Sequence, residues 1–231
     1  MCKALALALF VACEALTAST PPRIPPASDP ALARSFVTVS SIRALPSWQL
    51  VTVDHAFVRA LRDGTMRGAA FRRWYEQDMS FGETIGRLLA KAIDVTEGDA
   101  RSILIRLEAF DGSVYGTHAP AHDAAADAIG ATAAYRAFVC EAIEAADELD
   151  LLVLVWMIFE IYALVWAQTS YVPAAPFCAA FRPLYADAAA LGACVDDSLA
   201  GISLERARRL SAFVDRVMAY EVAFLDLLQD A

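Results

Sequence analysis

The run LLVLVWMIFEIYALVWA, residues 151–167, leaves this chain few ways to fold. Apolar at every angle around a helix, it suits either a span across a bilayer or a helix enclosed by other helices. Glu160 lies inside it, and the upstream flank EAADELD is acidic, with no nearby Lys or Arg to anchor a span. A carboxylate in hydrocarbon is costly unless it has a function. The run therefore reads as the central helix of a bundle, with Glu160 paired, protonated or facing a cavity. A membrane-anchored interaction protein with this run as its span is the competing reading.

The remaining sequence asks for the same architecture. Of 231 residues 58% are hydrophobic and 48 are Ala, whereas Gly and Pro number 10 each, which favours helix interiors over strands and turns. From Asp54 onward apolar residues recur at three and four spacing, interrupted at Gly64, Gly98, Gly112, Gly130, Pro173 and Gly201. This predicts an all-α single domain of seven or eight helices, over 54–62, 67–93, 97–110, 119–128, 131–147, 149–169, 176–192 and 203–230.

The first 45 residues read differently. Residues 1–18, MCKALALALFVACEALTA, outline a signal peptide, and residues 19–46 are rich in Ser, Pro and Ala with one acid, Asp29, as in transit peptides. A two-part leader to an organelle, plastid or other, fits both halves; a secretory signal followed by a Pro-rich linker, or a lipid-modified Cys13, are the alternatives. The folded domain is expected to span 46–231. Beyond residue 43 the chain holds 15 basic and 26 acidic side chains, so its acidity belongs to the domain and a nucleic-acid role is unfavourable. Cys140, Cys178 and Cys194 form no Cys-x-x-Cys pair and read as small buried apolar residues. Arg206, Arg208 and Arg209 read as a solvated face.

Residues 54–89, DHAFVRALRDGTMRGAAFRRWYEQDMSFGETIGRLLA, carry the most informative pattern. His55 and Phe57 precede an Asp63-Gly64-Thr65 turn, followed by Phe71, Trp74, Gln77 and Asp78. This order resembles the opening of the TenA or thiaminase II family, which has a haem-oxygenase-like helical fold. The likeness continues at ATAAYRAF with Tyr135, at Trp156–Tyr162 with Tyr162, at FRPLY with Tyr185, and at YEVAFLD with Glu221. Ile158 falls where the family carries its catalytic cysteine, and Phe81 where it often has Tyr.

The resemblance implies an aminopyrimidine aminohydrolase that returns hydroxymethylpyrimidine to thiamin synthesis, with no cofactor. Asp78 would bind the pyrimidine's ring nitrogen and amino group, and Glu221 would protonate the leaving amine and then activate water. Tyr135, Tyr162 and Tyr185 would orient the acids, Phe81 would help to line the site, and Glu160 could serve where the thiol is missing. It lies two residues from position 158, about 200° around a helix, so it could equally face elsewhere. Without a thiol the covalent adduct of the cysteine-bearing members cannot form, and cleavage of intact thiamin is not expected. Family members form dimers or tetramers, so a homo-oligomer is implied.

Two further readings stay open. The chain could be a silent relative that binds a planar small molecule, or a helical-bundle di-iron oxidase. The latter needs several acids and histidines on different helices, yet the chain has 3 His, and Pro120 separates His118 from His122. No metal is expected.

Overall fold

The structure, a computed structural model, describes residues 37–118 and 130–226. All regular structure among them is helical, and eight helices reach seven residues or more. In chain order these elements are α1 (Val39–Arg43), α2 (Pro46–Gln49), a π-helical turn (Leu50–Asp54), α3 (Ala56–Arg62), α4 (Gly68–Val95), α5 (Gly98–His118), α6 (Gly130–Ala145), α7 (Glu148–Ala167), α8 (Ala175–Phe181), α9 (Leu184–Leu199) and α10 (Leu204–Asp226). The expected helix over 119–128 and His122 lie outside the described residues.

The apolar run 151–167 is α7, the axis of the bundle. Asp147 caps it by accepting from Asp150 N at 3.1 Å, and Glu148 and Asp150 complement the helix dipole in its first turn. Fourteen of its twenty residues are buried, and α4, α6, α8, α9, α10 and the π turn all pack on it. By length and composition the helix could cross a membrane. Its burial has a sufficient cause in these neighbours.

Helix α4 buries one stripe at helical spacing, including Phe71, Trp74, Asp78, Phe81, Ile85 and Leu88. Trp74 sits 5.0 Å from Trp166 of α7 and 5.7 Å from Phe177 of α8, both edge-on, so aromatic packing joins three helices. The turn before α4 follows the sequence expectation. Gly64 takes φ 71°, and the carbonyl of Leu61 accepts from the amides of Ser170 and Tyr171, each at 3.1 Å.

Three boundaries depart from expectation. Gly112 does not stop a helix, and α5 continues to His118. A lone glycine in a helix costs about 1 kcal/mol, and the burial of the apolar Leu107 and Val114 around it offsets that cost. The expected helix 176–192 is two helices, because Pro183 stands at the N-cap of α9 and redirects the chain. The domain also begins before residue 46. Thr38 and Ser41 form a reciprocal capping box for α1, whose Val39 and Ile42 are buried, and Val39 N donates to Asp196 Oδ1 at 2.7 Å. Trp48 then stacks on Trp156 of α7 with ring centroids 5.4 Å apart. Residues 1–36, most of the expected leader, lie outside the described residues.

Arg206 is also more than part of a solvated face. Its guanidinium binds Asp147 at 2.6 Å and Asp150 at 2.9 Å, tying the start of α10 to the start of α7.

Gly192 of α9 has a steric cause: a Cβ there would stand 2.9 Å from Trp156 Nε1. Gly192→Ala should therefore destabilise the protein by about 1–3 kcal/mol through overpacking. Thermal unfolding should show a midpoint lowered by several degrees; an unchanged midpoint would mean that the indole moves aside freely.

Candidate active site

Six helices aim acids and aromatic rings into one internal cavity. Asp78, Phe81 and Ile85 come from α4, Phe110 and Asp111 from α5, Tyr135 from α6, Ile158, Phe159 and Tyr162 from α7, Phe181 from α8, and Glu221 and Phe224 from α10. The cavity measures about 30 Å³, room for one or two waters, so a flat ring can enter only if the walls part. Among the described residues, no Lys or Arg lines it.

Glu221 is the most enclosed of the three acids, at 1% exposure. The hydroxyl of Tyr135 donates to its Oε1 at 2.6 Å. Loss of hydration pushes the Glu221 carboxyl up to about 7; the bond from Tyr135 opposes the rise, and the negative field of Asp78 adds to it. Tyr135 is raised well above its ordinary value, first by burial and then by Glu221, so it remains the donor. Its ring lies 4.8 Å from Phe81 and stacks on Tyr220 at 5.4 Å, which holds the hydroxyl on target.

Asp78 is buried on the inner stripe of α4, two turns before Ile85. Tyr162, half-buried, reaches the cavity from α7 with its ring 6.5 Å from Trp74 and 6.3 Å from Phe181. Ile158 presents a branched aliphatic wall at the place where the resemblance expects a thiol. Asp78, Phe81, Tyr135, Tyr162 and Glu221 are thus brought together.

Two expected site residues are not. Tyr185 is 53% exposed and absent from the cavity wall, while Phe181, four residues earlier, lines it. In one continuous helix the two would share a face, but Pro183 breaks that register. Glu160 turns to the opposite side of α7, as its angular offset from Ile158 allowed. Arg43 Nε and Nη2 bind its two oxygens at 2.7 and 2.9 Å, and the indole N–H of Trp156 donates to Oε2. Its burial is explained by pairing. His55 caps α3 by accepting from Phe57 N at 3.2 Å.

The sequence reading missed Asp111. It follows Leu104 and Leu107 and precedes Val114 on the buried stripe of α5, a position hidden by reading Gly112 as a helix end. Burial pushes its carboxyl up to about 7, and the charges of Asp78 and Glu108 push the same way. Phe224 was within reach of sequence reasoning, three residues after Glu221 on the same face. No cluster of three or more ligating side chains suited to a metal occurs among the described residues.

The raised acids set a pH dependence for folding. A carboxyl whose pKa rises on folding holds its proton longer in the native state, so its contribution is complete below the unfolded value and lost as pH climbs to the folded value. For Glu221 this window runs from 4.5 to about 7. Chemical denaturation should show stability falling across it by the order of 3 kcal/mol from Glu221 alone. Glu221→Gln should flatten that slope; an unchanged slope would show that Glu221 ionises normally in the fold.

Comparison with known proteins places this geometry in a fold class. No protein-family model and no curated protein sequence matches the chain. Solved structures do. A TenA family transcription regulator from a Silicibacter species aligns with TM-score 0.68 and 21% identity, over 84% of this chain and 97% of its own. A TenA homologue from P. horikoshii gives 0.68 and 18%, over 84% and 99%. A protein called a TenA-like thiaminase from Sulfolobus solfataricus gives 0.65 and 16%, over 83% and 94%. The fold is TenA-like over most of the chain, in a divergent sequence.

Proposed function

We propose that the chain hydrolyses an aminomethylpyrimidine to the hydroxymethylpyrimidine and ammonia, without a catalytic thiol. The observation that carries this reading is Glu221. It is a fully buried carboxyl pushed up to about 7 and held by Tyr135, in an aromatic-walled cavity that also contains Asp78. An acid that can both give and take a proton near neutrality is what this exchange needs.

In the reaction, Asp78 binds the amidine-like edge formed by the ring nitrogen and the ring amino group, where a carboxyl and an N–H edge complement each other. Electron density from that amino group moves through the ring as the methylene–nitrogen bond breaks. Glu221 gives its proton to the departing nitrogen, which leaves as ammonia. Water adds to the exposed methylene carbon and returns a proton to Glu221. One water is consumed, one ammonia is released, and the protein ends as it began.

The fold's likeness to a protein called a TenA-like thiaminase supports the substrate class. Ile158 favours an already degraded pyrimidine over intact thiamin, since it offers no sulfur for a covalent adduct. Ammonia release by the full-length protein, supplied with the aminomethylpyrimidine, tests the reading directly. Turnover that disappears in Asp78→Asn is the expected result. Folded protein that binds the pyrimidine without releasing ammonia would instead select a silent binding protein, the reading that Ile158 and Phe81 motivate.

A further inference from the structure

Asp111 is 6% exposed, lines the cavity, and has an oxygen, Oδ1, with no hydrogen-bond partner among the described residues. A buried acceptor left unsatisfied costs about 1–3 kcal/mol, and such an arrangement persists where a ligand completes it. Its other oxygen stands 3.6 Å from where a Cβ on Gly86 of α4 would be, so the carboxyl lies against a helix surface free of a side chain. The titratable groups around it are Asp78 on α4, Glu108 on its own helix, Tyr135 on α6, Tyr162 on α7 and Glu221 on α10. Every one of these is an acid or a phenol. Among the described residues, no cationic side chain on the cavity wall balances them.

We infer that Asp111 is a ligand-binding carboxyl that makes the cavity selective for a cationic, N–H-rich amine over its neutral alcohol counterpart. The inference rests on the reaction proposed above and names how its substrate is distinguished from its product. A positive charge entering among three carboxyls supplies the missing donor to Oδ1 and the missing counter-charge to the site. The alcohol product brings no charge, so it gains less from Asp111 and leaves more readily. A substrate ammonium beside ionised Glu221 and a neutral amine beside protonated Glu221 are the same protonation state of the complex. The requirement for a cation is thus consistent with Glu221 as proton donor.

The test compares two constants in one protein: KM for the aminomethylpyrimidine and the inhibition constant of the hydroxymethylpyrimidine. In Asp111→Asn, KM should rise tenfold or more while kcat stays within threefold and the constant for the alcohol within twofold. Glu205→Gln, which removes an exposed acid of α10 that is absent from the cavity wall, should leave all three unchanged. Equal weakening of both compounds, or of neither, would overturn the role. Should Asp111→Asn fail to fold, Glu221→Gln still decides, because it leaves Asp111 as the raised carboxyl of the cavity. Its binding preference for amine over alcohol should grow several-fold between pH 5.5 and 8, and a flat ratio overturns the inference. Wild-type protein that neither binds nor converts either pyrimidine removes the proposed function and this inference together. Normal turnover with unaltered discrimination in Asp111→Asn removes this inference alone.

Discussion

Glu221→Gln should lower ammonia release by about a hundred- to ten-thousand-fold, the usual weight of a general acid and base. The substitution keeps the shape of the side chain. Its amide oxygen can still accept from the Tyr135 hydroxyl, which now reaches Glu221 Oε1 at 2.6 Å, so the fold loses no partner. What disappears is the proton that passes to the departing nitrogen and returns from water. Thermal stability at pH 8 should rise, because a buried carboxylate is replaced by a neutral group. The combination of lost activity and unchanged or higher stability distinguishes a chemical role from a structural one. If the variant retained more than a tenth of wild-type turnover, Glu221 would not be the proton carrier, and Asp111 would be the next acid to test.

Arg43→Ala should destabilise the protein by about 3–5 kcal/mol, the range for removing one partner of a buried ion pair. The value belongs at the low end, because the Arg43 side chain is 40% exposed whereas that of Glu160 is 7% exposed. Without Arg43, the carboxylate keeps only the indole N–H of Trp156. Its buried charge is then left without a counter-charge, which loosens the junction of α1 with α7. The unfolding midpoint should fall by roughly 10 °C on the scale of 2–4 °C per kcal/mol for a chain of this size. Adding Glu160→Gln removes the unpaired charge and keeps an acceptor for the indole, so the double variant should recover more than half of the loss. A loss below 1 kcal/mol in Arg43→Ala would show that the ion pair adds little to the fold.

How far the sequence could be read follows from which signals are local. The periodic spacing of α4 and α10, the unbroken apolar run of α7 and the glycine at 64 act within a few residues, so these helices and the turn before α4 were legible. Asp78, Phe81, Tyr135, Tyr162 and Glu221 were legible through a patterned likeness, and the fold brings them to one cavity. The failures depend on partners far along the chain. Glu160 looked like a site residue because its charge sits in an apolar run, but Arg43, 117 residues away, accounts for it. Tyr185 was placed by the likeness of FRPLY to a family motif, but Pro183 interrupts the helix between Phe181 and Tyr185. Asp111 was hidden by a glycine that only tertiary packing allows inside a helix. The same Pro-rich stretch that read as leader conceals α1, whose five residues are too few to show a period.

Ile158 has a consequence for the conditions under which such a site keeps working. Among the described residues, no sulfur-bearing side chain lines the cavity, and Cys140, Cys178 and Cys194 are absent from its wall. Peroxide, disulfide exchange and alkylating reagents act on thiolates, so the chemistry proposed for Glu221 and Asp78 has nothing for them to attack. For the reaction proposed above, a wall without a thiol restricts the expected substrates to those that need no covalent adduct. The same wall predicts ammonia release that is insensitive to the redox state of the surroundings.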